Sequence, residues 1–281
     1  MFTGGWEPAR DNPPTVPLSP LLSRYDHVVL DLDGCVYVGD VVVPGSVEAI
    51  AALRAGGKKV AFLTNDARRS PEDYVRKLWA LGVQASLEEV VTVGGAIQHL
   101  LAGRSPGAGA YVIGSSAIFR HVSESGQRVL NGTEAESTAD VVVIAAHDEL
   151  RYDELRVATQ AVLNGAEMIA AGRDRTFPEQ DGPWPATGAI VAALEYATSR
   201  TATVVGKPDS QIFLTALDRL GPGRVLVVGD GLDSDLAGAA AAELDAAIVL
   251  TGVSSRAAAE AATDPAPVAI AEDLQELLLR T

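Results

Sequence analysis

Residues 27–40 read HVVLDLDGCVYVGD, an apolar run that reaches Asp31, passes Leu32 to Asp33 and breaks at Gly34. A short, unbroken run of β-formers bounded by turn residues is the pattern of a strand buried on both faces, as in a parallel sheet. The pattern recurs at 59–64 (KVAFLT), 111–114, 140–145 (DVVVIA), 167–171, 203–206, 224–229 (RVLVVG) and 246–251. Between these runs stand helix starts: Ser46 before an apolar periodic stretch, Ser70-Pro71-Glu72-Asp73 as cap, N1 proline and acidic first turn, and Pro208. Strands alternating with helices predict an α/β fold, a Rossmann-like parallel sheet with helices on both faces.

At 281 residues with 47% hydrophobic content the chain exceeds a single domain of usual size. Residues 1–20 carry Pro and Gly without apolar periodicity and are expected to form a flexible tail. The segment 95–200 has its own strands and helices between a Gly-rich joint (103–110) and a Pro-rich one (178–185). It therefore reads as an α/β domain inserted into a catalytic core of 21–94 and 201–281. One cysteine, Cys35, excludes an internal disulfide framework and fits a reducing compartment, where it serves as a small buried filler. The N-terminus lacks a basic n-region and an apolar h-region, and no stretch is long enough to span a bilayer, so a cytoplasmic protein with no membrane partner is expected. A net charge of -15 argues against nucleic acid, which demands clustered Lys and Arg. Asn131-Gly132-Thr133 reads as a tight turn.

In an open parallel sheet, ligands bind beyond the carboxyl ends of the strands. Those ends carry Asp31 and Asp33, Thr64 and Asn65, Lys207, and Asp230 with Asp235. Carboxylates gathered at one point repel by about 4 kcal/mol per pair at ~4 Å and an effective dielectric of 20. An all-oxygen ligand set that needs such compensation favours magnesium (Mg2+), with Lys207 as a fixed positive charge. Asp31 then suits a nucleophile that forms an aspartyl-phosphate, and Asp33, two residues on, a general acid/base. Thr64 and the backbone around Asn65 supply donors to phosphoryl oxygens, and Lys207 neutralises charge there. Asp230 completes the metal site; Asp235 sits behind it and orients a water or Lys207.

The stretches VVLDLDGCVYVGD, FLTND, VVGKPDSQIF and VVGDGLDSDLAGA, in that order along nearly the whole chain, resemble the four motifs of the haloacid dehalogenase superfamily of phosphatases. The long insertion, with AAGRDRTFP followed by PATGAIVAALE, is similar to the C2-type cap of its p-nitrophenyl phosphatase, NagD-like branch. The resemblance implies Asp31 as nucleophile and metal ligand, Asp33 as acid/base that also gives its backbone carbonyl to the metal, Thr64 and Lys207 as phosphate ligands, and Asp230 as metal ligand. It further implies a small phosphorylated metabolite as substrate and a homodimer through the cap. Cys35, Asp66, Gly231 and Gly172 depart from the pattern; Asp66 and Gly172 lie where the leaving group is read.

His147, Arg173, Asp174 and Arg175 in the insertion are candidates to contact that leaving group, against the plainer reading of solvated surface residues. Asp233 reads as a helix N-cap and Trp184 as a packing residue. The run 230–235 lacks the Gly and Glu of a calcium loop, and an Asp between Gly229 and Gly231 would repel a dinucleotide's pyrophosphate. Two other uses of the same set are a phosphotransferase or mutase built on the same aspartyl-phosphate, and a non-catalytic receiver-like phosphorylation sensor. Chain size and the inserted domain count against the sensor.

Overall fold

The computed structural model describes residues 17–179 and 182–280. Its strands are β1 (His27–Asp31), β2 (Tyr37–Val38), β3 (Val41–Val42), β4 (Lys59–Thr64), β5 (Val90–Thr92), β6 (Gly109–Ile113), β7 (Arg128–Val129), β8 (Val141–Ile144), β9 (Glu167–Ala170), β10 (Thr176–Glu179), β11 (Gly182–Pro185), β12 (Thr203–Val204), β13 (Val225–Gly229), β14 (Asp245–Val249) and β15 (Ala269–Ala271). Its α-helices are α1 (Ser46–Ala55), α2 (Pro71–Ala80), α3 (Val93–Ala102), α4 (Ser116–Glu124), α5 (Tyr152–Leu163), α6 (Thr187–Thr198), α7 (Gln211–Leu220), α8 (Ala237–Ala241), α9 (Arg256–Ala261) and α10 (Leu274–Leu278). None of these helices is long and apolar enough to cross a membrane.

The first sheet is parallel, in the order β15-β14-β13-β1-β4-β5. Successive residues of its strands point to opposite faces, and both faces are buried. Val28, Leu30, Val60 and Phe62 meet Leu53 of α1, Leu78 of α2 and Leu274 of α10, while Val29, Ala61 and Val227 meet Ile97 of α3 and Phe213 of α7. That double burial explains why the runs are unbroken rather than alternating. A second parallel sheet, in the order β12-β9-β8-β6-β7, is likewise buried on both faces. Val112, Val143 and Ile169 join the core that Val29 and Ala61 share with α3 and α4, and Val142, Ile144 and Met168 pack under Val157 of α5 and Val191 of α6. The second layer is thus joined to the first by one continuous apolar cluster.

Several boundaries differ from those read in the sequence. The joint at 94/95 falls inside α3, and β12, expected in the core, pairs with β9 of the second sheet. Residues 17–20, assigned to the tail, are seated: Leu18 bridges Leu279, and Ser19 donates its N–H to Leu278 O at 2.9 Å. Apolar Leu18 packs on the first core, which holds the end of the tail in place; residues 1–16 lie outside the described residues. Ser70 caps α2 as expected, and Asp73 joins it in a capping box. Ser46 does not cap α1, since Gly45 is the N-cap and Ser46 Oγ is buried without a partner. Helix α7 starts at Gln211, three residues beyond Pro208, with Ser210 as N-cap.

Candidate active site

Strands β1, β4 and β13 are neighbours in the first sheet, so their carboxyl ends lie side by side. Lys207 follows β12 and Val205, and its backbone is held by Asn65: Lys207 N–H donates to Asn65 Oδ1 at 2.8 Å, and Asn65 Nδ2 donates to Lys207 O at 3.0 Å. This two-way clasp carries Lys207 across from the second sheet to the end of β4. Its Nζ donates to Asp31 Oδ1 and, at 2.7 Å, to Asp235 Oδ1. One oxygen from each of Asp31, Asp230 and Asp235 lies within 4.8 Å of the others, and all three residues are buried.

The remaining hydrogen bonds divide these oxygens. Asp235 Oδ2 accepts from Gly231 N at 3.0 Å and Ser234 Oγ at 3.3 Å, so both Asp235 oxygens are committed. Asp230 Oδ2 accepts from Val253 N at 2.7 Å. Asp31 Oδ2 and Asp230 Oδ1 accept nothing among the described residues, and these are the oxygens free for a cation. Asp233, read as an N-cap, lies instead within a π-turn spanning Leu232–Leu236 whose N-cap is Gly231, and Asp235 in the same turn is buried.

Electrostatics follow from this crowding. Burial pushes the Asp31 carboxyl up to about 7; Lys207 pulls it down by more than the neighbouring carboxylates of Asp235 and Asp230 add, but not by enough to offset burial. Asp230 is raised for the same first reason. Burial alone would depress Lys207, but Asp235 and Asp31 outweigh it and keep the ammonium charged. Three carboxylates against one ammonium leave a net formal deficit of two positive charges, which a divalent cation with hard oxygen ligands fits.

Beside this cluster opens a cavity of about 450 Å³ between the two layers, lined by Asp33, Thr64, Asn65 and Asp66 from the β1 and β4 ends and by Asp174, Thr176 and Thr187 from the second layer. Asp33 is exposed there, its Oδ1 accepting from Gly39 N at 3.3 Å. Asp66 is spent locally: Oδ1 accepts from Arg68 N at 2.9 Å and Oδ2 from Tyr74 Oη at 2.7 Å. Burial would raise its pKa, but these donors and the Arg68 guanidinium hold it below the usual carboxylate range.

Three of the four candidates in the inserted segment, Arg173, His147 and Arg175, do not line the cavity. Arg173 is locked on Glu195 of α6 by Nη1 at 3.0 Å and Nη2 at 2.6 Å, and the buried His147 Nε2 sits 3.2 Å from Glu154 Oε1 of α5 without the geometry of a hydrogen bond. Arg175 is exposed and also absent from the lining, and Gly172, buried at the end of β9, is not part of it. Trp184 is on the β10–β11 hairpin with 38% of its surface exposed. The cavity wall adds residues the motifs did not indicate: Tyr37, Arg68, Arg69 and Lys77. Lys77 Nζ lies 4.0 Å over the Tyr37 ring and 3.3 Å from Asp40. A continuous apolar run on either side of the two-residue Gly39-Asp40 turn is the hairpin signal that could have brought Tyr37 into view.

A Haloacid dehalogenase-like hydrolase model matches residues 28–128, and a second model of HAD-like hydrolases matches 204–277. A solved structure of glycerol phosphate phosphatase from Mycobacterium tuberculosis in complex with magnesium superposes with a TM-score of 0.85 and 35% identity, over 92% of this chain and 78% of that one. The chain belongs to the haloacid dehalogenase-like hydrolases. Within that family it is similar to the D-glycerol 3-phosphate phosphatase of M. tuberculosis, 36% identical over 236 residues, which are 84% of this chain and 65% of that protein. NagD of E. coli K-12 superposes with a TM-score of 0.82 at 27% identity, over 90% of this chain and 98% of that one.

Proposed function

We propose that this hydrolase is a magnesium-dependent phosphatase that cleaves a small phosphate monoester through an aspartyl-phosphate on Asp31, with Asp33 as general acid/base. The observation that carries the reading is the bonding of Lys207 to both Asp31 and Asp235 inside a buried three-carboxylate cluster, with Asp33 and Thr64 on the wall of the adjoining cavity. The M. tuberculosis relative's structure with magnesium supports the choice of cation.

Asp31 Oδ2 and Asp230 Oδ1 would hold the ion, together with the Asp33 main-chain carbonyl that the family resemblance implies. When bound, magnesium supplies positive charge that offsets the carboxylates and draws the phosphoryl group into place. An Asp31 carboxylate oxygen attacks phosphorus, the bond to the ester oxygen breaks, and Asp33 gives its proton to the departing oxygen. Asp33 then takes a proton from water as that water attacks the aspartyl-phosphate; inorganic phosphate leaves and Asp31 is restored. Lys207 fixes the orientation of Asp31 and meets charge on the phosphoryl oxygens, while Thr64, 7% exposed at the end of β4, donates to them. Asn65 serves mainly through its clasp on Lys207, and Asp235 holds the ammonium from behind.

The cavity wall is polar and apolar in equal measure, and Tyr37, Arg69, Lys77, Asp174 and Thr176 on it suit a small hydroxylated or charged leaving group. We place the core at 18–102 and 205–280 and the substrate-covering layer at 109–204. Hydrolysis of p-nitrophenyl phosphate and of a panel of phosphorylated metabolites, ranked by kcat/KM, tests the reading. No turnover of any monoester in magnesium would reject it.

A further inference from the structure

After β14 the chain turns back over the site through Leu250, Thr251, Gly252 and Val253. Nothing in the reaction as written uses this turn, yet it grips Asp230 on one side. Val253 N–H donates to Asp230 Oδ2 at 2.7 Å, although the Val253 side chain itself is 84% exposed and packs on nothing that would explain its place. Gly252 lies flat against the same carboxylate: a methyl carbon added there would overlap Oδ2 and Cγ of Asp230 and stand 2.7 Å from its Cβ. Gly34, at φ +92°, forms the facing wall, where an added Cβ would come 2.5 Å from Asp230 Oδ2. A side chain at Gly34 is barred by its backbone as well as by space. Thr251 Oγ1 ties the two walls together by donating to Gly34 O at 2.5 Å.

We propose that the Thr251–Val253 turn is a positioning element that presets Asp230 as a one-oxygen magnesium ligand. Oδ2 is committed to Val253 N–H, Oδ1 is presented to the ion, and the walls at Gly34 and Gly252 remove the other rotamers. A carboxylate held by an outer donor loses less freedom on binding metal, and loss of such outer partners typically weakens metal binding about 10–100-fold. This inference rests on the reading of Asp230 as a metal ligand.

The test is calorimetric titration of the purified full-length chain with magnesium, in parallel with thermal unfolding in chelator. Gly252→Ala should raise the magnesium Kd by about 10–100-fold, and turnover should recover when magnesium is raised to saturation. Thr251→Val should weaken magnesium binding in the same direction, and Thr251→Ser, which keeps the hydroxyl, should restore it. If Gly252→Ala does not fold, the Thr251 pair decides. Asp230→Ala separates the two claims: an unchanged Kd there would sink the ligand reading and this inference with it. Lost binding in Asp230→Ala with wild-type Kd in Gly252→Ala and Thr251→Val would overturn the positioning role alone. Lower unfolding temperatures without any change in Kd would do the same.

Discussion

Replacing Lys207 with methionine keeps the buried aliphatic stem and removes the ammonium that lies between Asp31 and Asp235. With carboxylate oxygens 4.8 Å apart or closer, each ionised pair repels by about 3.5 kcal/mol at an effective dielectric of 20. Deleting one partner of a buried ion pair costs about 3–5 kcal/mol, which for a chain of this size lowers the unfolding temperature by on the order of 10 °C. The pH dependence follows from Asp31, whose folded pKa is about 7 with Lys207 present and lies higher without it. A carboxyl raised above its unfolded value favours folding while protonated, and that contribution fades as pH climbs through the folded pKa. Below about pH 7 Asp31 is protonated in both proteins, so the stability gap is flat; above it the variant alone still binds the proton, so the gap widens as pH rises. Thermal unfolding of both proteins in chelator at about pH 6 and about pH 9 measures this. A gap under about 1 kcal/mol, or one that narrows with rising pH, would refute the assignment of Lys207 as the counter-ion of this cluster.

Chelator should abolish hydrolysis, magnesium should restore it, and calcium should inhibit because its looser coordination displaces the nucleophile; full activity in excess chelator, measured by phosphate release, contradicts the metal's role. Asp33→Asn should slow release of an alkoxide leaving group by about 10²–10⁴-fold but barely slow the first release of p-nitrophenolate, giving a burst before slow turnover. Equal slowing of both substrates in rapid-quench experiments argues against Asp33 as the acid. Asp66→Asn should cost about 1–3 kcal/mol at neutral pH by weakening the bonds from Arg68 and Tyr74. The depressed Asp66 pKa means its contribution is present above about pH 4 and lost as pH falls further, so the two unfolding curves should converge in acid. Parallel curves count against it.

The sheet and the reactive cluster were legible in sequence for one physical reason. A doubly buried strand must be an apolar run, and its polar terminator is the residue that faces a ligand, so Asp31, Thr64 and Asp230 stand out at the ends of β1, β4 and β13. The two-residue strand β12 gave no such guide: Thr203 and Val204 suit either sheet, and only tertiary pairing with Ile169 and Ala170 assigns them. Arg173 and His147 had the right chemistry for a substrate contact, but their partners Glu195 and Glu154 are recognisable only once α6 and α5 are folded over the sheet. Lys77 was hidden inside an amphipathic helix whose register aims it at Tyr37 only after the β2–β3 hairpin forms. The short strands β5 and β15 were missed because three residues carry no period.

The claim on which the mechanism turns is a covalent phosphate on Asp31, and trapping it is the most direct test. The full-length protein, mixed with labelled monoester and magnesium and quenched in acid within a turnover, should carry label that is stable in acid and released by hydroxylamine, as an acyl phosphate is. Peptide mapping should place the label on Asp31, Asp33→Asn should accumulate more of it, and Asp31→Asn should carry none and turn nothing over. Turnover by Asp31→Asn, or label on any other residue, would contradict the account.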